Sequence, residues 1–235
     1  MKKSLFVGLG VLLMLSACTT APVTSNNSST STNPTPTPIP APTQQTQQPV
    51  VSQESGTKTY KDDSGFSFDY PSSLSVNKVG DKVVAMHTVP FQHSPPCDFV
   101  GNGKELTELT DFNVSLEVYK KSLKETVTET QDENFVHDNM VGDTMKVSEG
   151  FIDAYTAGSL KGYKLTLGVE GCGQYVYYFP LKNDTETLVV VRAFVPELNS
   201  AISDEMRTKA EKLPGVILPK ENENIFSDLL NSFAQ

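Results

Sequence analysis

KGYKLTLGVEGCGQYVYYFPLKNDTETLVVVRAFV, residues 161–195, is the stretch on which the fold turns. In its first run Tyr163, Leu165, Leu167 and Val169 alternate with polar or small residues, a period of two that reads as a half-buried strand. Gly171-Cys172-Gly173 offers a turn, and residues 174–181 return as a second strand. Residues 182–185, KNDT, turn again, and residues 186–195 form a third, more continuously apolar run. Antiparallel neighbours need only a tight connection, so three such runs joined by short polar turns predict a meander.

The pattern extends outward in both directions. Residues 65–71, GFSFDYP, alternate aromatic and polar side chains and stop at a proline. Residues 74–79 and 82–88 flank Gly80-Asp81 and read as a hairpin. Residues 89–111 contain three prolines, a GNG triplet and Cys97, and are expected to form a long loop. In residues 112–119 Phe112, Val114, Leu116 and Val118 share one strand face. Residues 122–130 are weakly helical, with Leu123 and Val127 four apart. Helical spacing returns at 203–213 and at 222–233, where Ile225, Phe226, Leu229, Leu230 and Phe233 fall on one side. Strands in the middle and helices at the end predict an α+β fold, one antiparallel sheet with helices packed against it.

TYKDDSGFSFDYPSSL, residues 59–74, resembles the opening of PsbP-like domains, and IFSDLLNSF, residues 225–233, is similar to the close of bacterial lipoproteins that carry them. The resemblance implies an α-β-α sandwich acting as an accessory or binding module without catalysis of its own. It transfers no functional residue, because the matching positions are core aromatics and turn formers.

The amino terminus has a different chemistry. Lys2 and Lys3 precede an apolar run at residues 5–15, whose eleven residues reach only about 16 Å as a helix, far short of a ~30 Å hydrocarbon core. A charged start, a short apolar middle and a small-residue end mark a secretory signal rather than a membrane span. Leu15-Ser16-Ala17-Cys18 resembles the bacterial lipobox, which implies cleavage after residue 17 and lipidation of Cys18. Two or more acyl chains give stable anchoring, so the mature chain is expected on the extracytoplasmic side of a bacterial envelope membrane. Residues 19–57 hold seven prolines, no Lys or Arg, no aromatic residue and only Glu54 as an acid. That composition predicts a disordered tether reaching roughly 35 Å as a coil and up to about 120 Å if fully extended. The expected organisation is therefore a signal peptide at 1–17, a lipidated cysteine and linker at 18–57, and a head at 58–235.

Lys2, Lys3 and Glu54 lie outside the head, which leaves it 17 basic and 27 acidic side chains. A net charge of −10 disfavours nucleic acid and anionic headgroups and suits cationic partners or solubility. With Cys18 lipidated, Cys97 and Cys172 remain as an even pair in an oxidising compartment. A bridge between them would close a loop of 76 residues and stabilise the fold by roughly 4.5 kcal/mol in the chain-entropy account. Two buried thiols, or one reactive thiol, are the competing readings.

Catalytic signatures are sparse. Ser75-x-x-Lys78 matches the spacing of penicillin-recognising enzymes, but its serine lies in a strand-like segment and no Lys-Thr-Gly accompanies it. His93 and Cys97 are separated by two prolines, which prevent a shared helical face, and His87 and His137 lie elsewhere. Asp132, Glu133, Asp138 and Asp143 lack the spacing of a calcium loop and read as a solvated acidic surface. Cys172, flanked by glycines, is the one candidate nucleophile, with backbone N–H groups of its turn available to an oxyanion. The balance favours a non-catalytic binding or accessory head with no cofactor, whose partner is a protein or an envelope component. The alternative is a thiol-dependent or metal-dependent envelope enzyme.

Overall fold

The computed structural model describes residues 56–94, 105–169, 172–193 and 203–235, all within the unit Val50–Gln235. The signal peptide, Cys18, the tether through residue 55 and Cys97 lie outside the described residues. The strands are β1 (Thr57–Lys61), β2 (Ser67–Pro71), β3 (Ser75–Val79), β4 (Lys82–His93), β5 (Leu106–Tyr119), β6 (Met140–Val141), β7 (Thr144–Met145), β8 (Ile152–Ala157), β9 (Leu160–Val169), β10 (Cys172–Leu181) and β11 (Glu186–Ala193). The helices are α1 (Leu123–Thr130), α2 (Asn134–Asp138), α3 (Asp204–Ala210) and α4 (Pro219–Asn231).

The fold is α+β. Seven strands form one antiparallel sheet in the order β3-β4-β5-β11-β10-β9-β8, while β1-β2 and β6-β7 are separate hairpins. The expected meander is its β9-β10-β11 portion, and β11 closes onto β5 with Val190 opposite Leu116 and Arg192 opposite Val114. Two antiparallel ribbons, β3-β4-β5 and β8-β9-β10-β11, thus meet at the β5/β11 pair. The meander is pressed tightly together at two glycines. A Cβ at Gly162 would lie 1.9 Å from the Tyr178 carbonyl oxygen, and one at Gly173 would lie 2.1 Å from that of Leu167.

Alternation along the strands builds two cores. On one face Val83, Ala85, Phe112, Val114, Leu116, Tyr177, Phe179, Leu188 and Val190 pack under Phe226, Leu229 and Leu230 of α4, with Phe66 and Phe68 closing the end. On the other, Ile152, Leu165, Val176, Tyr178 and Val189 meet Leu123 and Val127 of α1 and Val136 of α2. Helices therefore cover both faces. Helix α1 starts on a full capping box, Ser122 with Glu125, and α4 starts with Pro219, whose missing N–H costs nothing in a first turn.

Two expectations need correction. Residues 89–111 are not one long loop: β4 runs on to His93 and β5 begins at Leu106, with Val89 opposite Leu109 and Pro90 opposite Glu108. Pairing between β3 and β4 ends at Met86, so among the described residues no strand pairs with β4 on that side at Pro90, where a proline is tolerated. Helix α3 gives this ribbon a third small core, Ala210 against Val89 and Leu109. The second strand of the meander also begins earlier than expected, at Cys172 rather than residue 174, with the Cys172 backbone paired with Val169.

Candidate functional site: a cleft on the open half of the sheet

Alternation along β5 sends Val114, Leu116 and Val118 to the α4 face and Ser115, Glu117 and Tyr119 to the other. Helices α1 and α2 pack on that second face over the β8–β11 half of the sheet, so toward β5 the face lies open among the described residues. A cleft of about 230 Å³ forms there, between the carboxyl-terminal end of α1 and strands β5, β11 and β10. Its floor is apolar, made by Val176, Val189 and Val191, and its rim is polar: Lys82, Glu117, Tyr119, Gln131 and Gln174.

The rim is held in place by hydrogen bonds. The Tyr119 hydroxyl donates to Glu117 Oε2 at 2.9 Å, and Lys82 Nζ stands 3.9 Å from the same oxygen. Burial, and then the neighbouring Glu117 carboxylate, push the Tyr119 hydroxyl well above its ordinary value, so it remains a donor. Behind the rim the buried Tyr178 hydroxyl lies 2.7 Å from Thr130 Oγ1 and accepts from Gln131 Nε2 at 2.6 Å, which fixes the end of α1 to the sheet. A carboxylate, a phenol, an ammonium and two amides over a valine floor make a preformed concave surface for a polar ligand with one apolar side.

A second polar cluster lies on the α4 face. His87 is opposite Phe112 and Thr88 opposite Thr110, so Asp111 is the extra residue of a β-bulge and its side chain is buried. His87 Nδ1 lies 2.6 Å from Asp111 Oδ1, and the Ile217 N–H donates to Asp111 Oδ2 at 2.7 Å. Asn222 Nδ2 donates to the Asp111 carbonyl, and Asn222 Oδ1 accepts from Arg192 Nη2 at 2.6 Å. Arg192 pairs with Glu223 at 2.7 and 2.9 Å and covers the Phe226 ring at 4.5 Å. This chain of bonds ties the bulge to the start of α4, and its work is to orient that helix. Sequence reading passed over Asp111, Arg192 and Asn222. The available signal was a broken alternation, since Leu109 and Phe112 are both buried yet three apart, where an unbroken strand would place two.

The structure separates the histidines rather than gathering them. His87 joins Asp111, His93 Nδ1 lies 3.1 Å from the Phe91 carbonyl, and His137 Nε2 lies 2.8 Å from that of Gln131. Among the described residues no three His, Cys, Asp or Glu side chains are placed to hold a metal ion. Ser75 begins a strand and donates to the Met86 carbonyl at 3.0 Å, while Lys78 pairs with Asp62 at 2.8 Å, so the Ser-x-x-Lys spacing builds no nucleophile there. Asp132, Glu133, Asp138 and Asp143 are exposed. The backbone of Cys172 heads β10, while Cys97 and the thiol of Cys172, and with them the expected bridge, fall outside the described residues. Among the described residues no helix is long and apolar enough to cross a membrane.

No family model matches this chain, and neither does any curated protein. A solved structure of a protein from Bacteroides thetaiotaomicron VPI-5482 is similar at 10% identity and a TM-score of 0.33, over 72% of this chain and 44% of its own. The chain thus spans less than half of that neighbour, and a likeness of this size carries no argument.

Proposed function

We propose that the chain is a bacterial lipoprotein, anchored through Cys18 on the extracytoplasmic side of an envelope membrane, whose PsbP-like head is a non-catalytic binding or accessory module. The observation that carries the binding role is the cleft, with its polar rim at Lys82, Glu117, Tyr119, Gln131 and Gln174 over a floor of valines. Rigid strands and a helix end hold these groups before any ligand arrives, which lowers the ordering cost of binding. The head's acidic charge further suits partners that are neutral or cationic. A leader ending in Leu-Ser-Ala-Cys and a Ser/Thr/Pro-rich segment after it support the anchored, tethered arrangement.

Two measurements test the two halves. Feeding cells a clickable palmitate is expected to label the wild-type chain and not Cys18→Ala, and equal labelling of both removes the anchor. A thermal-shift survey of small polar ligands and short peptides is expected to find compounds that raise the Tm of the full-length chain but not of Glu117→Gln/Gln174→Ala. Ligands that stabilise both proteins equally remove the cleft as the binding site.

A further inference from the structure

The segment from α2 to the start of β8 leaves two large aromatic side chains in solvent. Phe135 is 44% exposed and Phe151 60%, yet their rings meet edge to face with centroids 5.8 Å apart. Folding does not need them there, because their sequence neighbours Val136 and Ile152, with Met145 between, already fill the core beneath. Val141 and Val147 of the same segment are 63% and 52% exposed. Large apolar groups gathered in one surface segment mark an interaction site rather than ordinary surface variation.

The charge of the segment says what kind of partner fits. Residues 132–153 hold six acids, Asp132, Glu133, Asp138, Asp143, Glu149 and Asp153, against Lys146 as the one Lys or Arg. Asp153 faces Lys164 at 3.3 Å, and Asp143 accepts from the Lys124 N–H at 3.3 Å. The other four acids are exposed. Two copies of this surface, or an anionic membrane, would bring like charges together. A polypeptide that carries Lys or Arg beside an apolar side chain complements both features at once.

We propose that the Phe135/Phe151 surface docks a cationic, apolar-bearing polypeptide segment of a partner protein, with the two phenylalanines as anchors and the acids as a steering rim. The inference deepens the binding-module reading and rests on it, but uses a surface other than the cleft.

Fluorescence anisotropy of the full-length chain with three labelled peptides tests it: alternating Lys/Leu, Lys/Ser and Glu/Leu. The Lys/Leu peptide is expected to bind at least about tenfold tighter than the other two, and Phe135→Ser/Phe151→Ser to lose about tenfold of that affinity. Both substitutions are at exposed positions, and an unchanged circular dichroism spectrum confirms the fold. Added salt should weaken the complex, and Glu117→Gln/Gln174→Ala should leave it intact. Equal affinity of wild type and the phenylalanine variant overturns the inference. So does a homodimer by sedimentation, or adsorption to phosphatidylcholine vesicles, if the phenylalanine variant abolishes either while wild type shows no preference for Lys/Leu. Lys/Leu binding that survives the phenylalanine changes but is lost in Glu117→Gln/Gln174→Ala overturns the inference and leaves the binding-module reading standing. No binding of any peptide, combined with no stabilising ligand for the cleft, overturns both.

Discussion

The two faces of the central sheet are built from the same strands and do different work. On the α4 face nearly every inward position is a large apolar side chain, and the helix covers the middle of the sheet. On the other face α1 and α2 cover the β8–β11 half, and over β5 the side chains change to Ser115, Glu117 and Tyr119. One face is therefore a continuous core, while the other is part core and part prepared surface. A sheet face left without a helix stays soluble only if it turns polar, and polar groups fixed on rigid strands are what a binding surface requires.

This contrast is open to test by substitution. Phe226→Ala removes a buried ring from beneath Arg192 and should cost about 3–5 kcal/mol in urea unfolding. A loss below ~1 kcal/mol would mean that α4 does not hold that face together. Asp111→Ala leaves the Ile217 N–H and His87 without their carboxylate and should cost roughly 2–3 kcal/mol, with α4 showing the earliest loss of hydrogen-exchange protection. On the opposite face Tyr178→Phe keeps the ring but strips the hydroxyl from Thr130 and Gln131, for an expected ~1–2 kcal/mol. Gln174→Ala, on the open half, should stay within about 0.5 kcal/mol while altering ligand response, and a large loss there would make the cleft a structural element instead.

The smallest expected effect concerns pH. Burial alone would raise the Asp62 carboxyl, but bonds from Lys78, Ser64 and Tyr60 outweigh it and hold it well below the usual carboxylate range. A group depressed in the folded state adds stability above its unfolded value of ~3.9 and loses it as pH falls toward the folded value. Asp62→Asn should therefore lower the plateau of a stability-against-pH curve above about pH 4 and flatten its acid limb, with the two curves converging at the lowest pH. An unaltered acid limb would show that the link between the β1–β2 turn and β3 contributes nothing.

Much of the architecture was legible because it follows from local periodicity. The run 161–170 alternates every second residue, and the short polar turns after it set off 174–181 and the more continuously apolar 186–195 as its antiparallel neighbours. Helix α4 was readable from Ile225, Phe226, Leu229 and Leu230, and α1 from Leu123 and Val127 behind Ser122. The β4–β5 ribbon past Met86 was hidden by Pro90, whose meaning depends on whether a neighbouring strand needs its N–H. That neighbour, β3, ends its pairing at Met86. The Phe135/Phe151 pair escaped notice for a similar reason, since an exposed and a buried phenylalanine look alike in one dimension.

By itself the sequence determined the class of fold, the meander, the helical ends and the acidic character of the head, because these are set by neighbours within a few residues and by composition. The tertiary structure alone decided which face of β5 would be left open, that Asp111 would bulge inward to meet His87 and the start of α4, and that Glu117, Tyr119, Gln131 and Gln174 would share one cleft. Those residues come from segments tens of positions apart. Their proximity is set by strand order and by the covering helices, which exist only once the long-range pairing of β5 with β11 has formed.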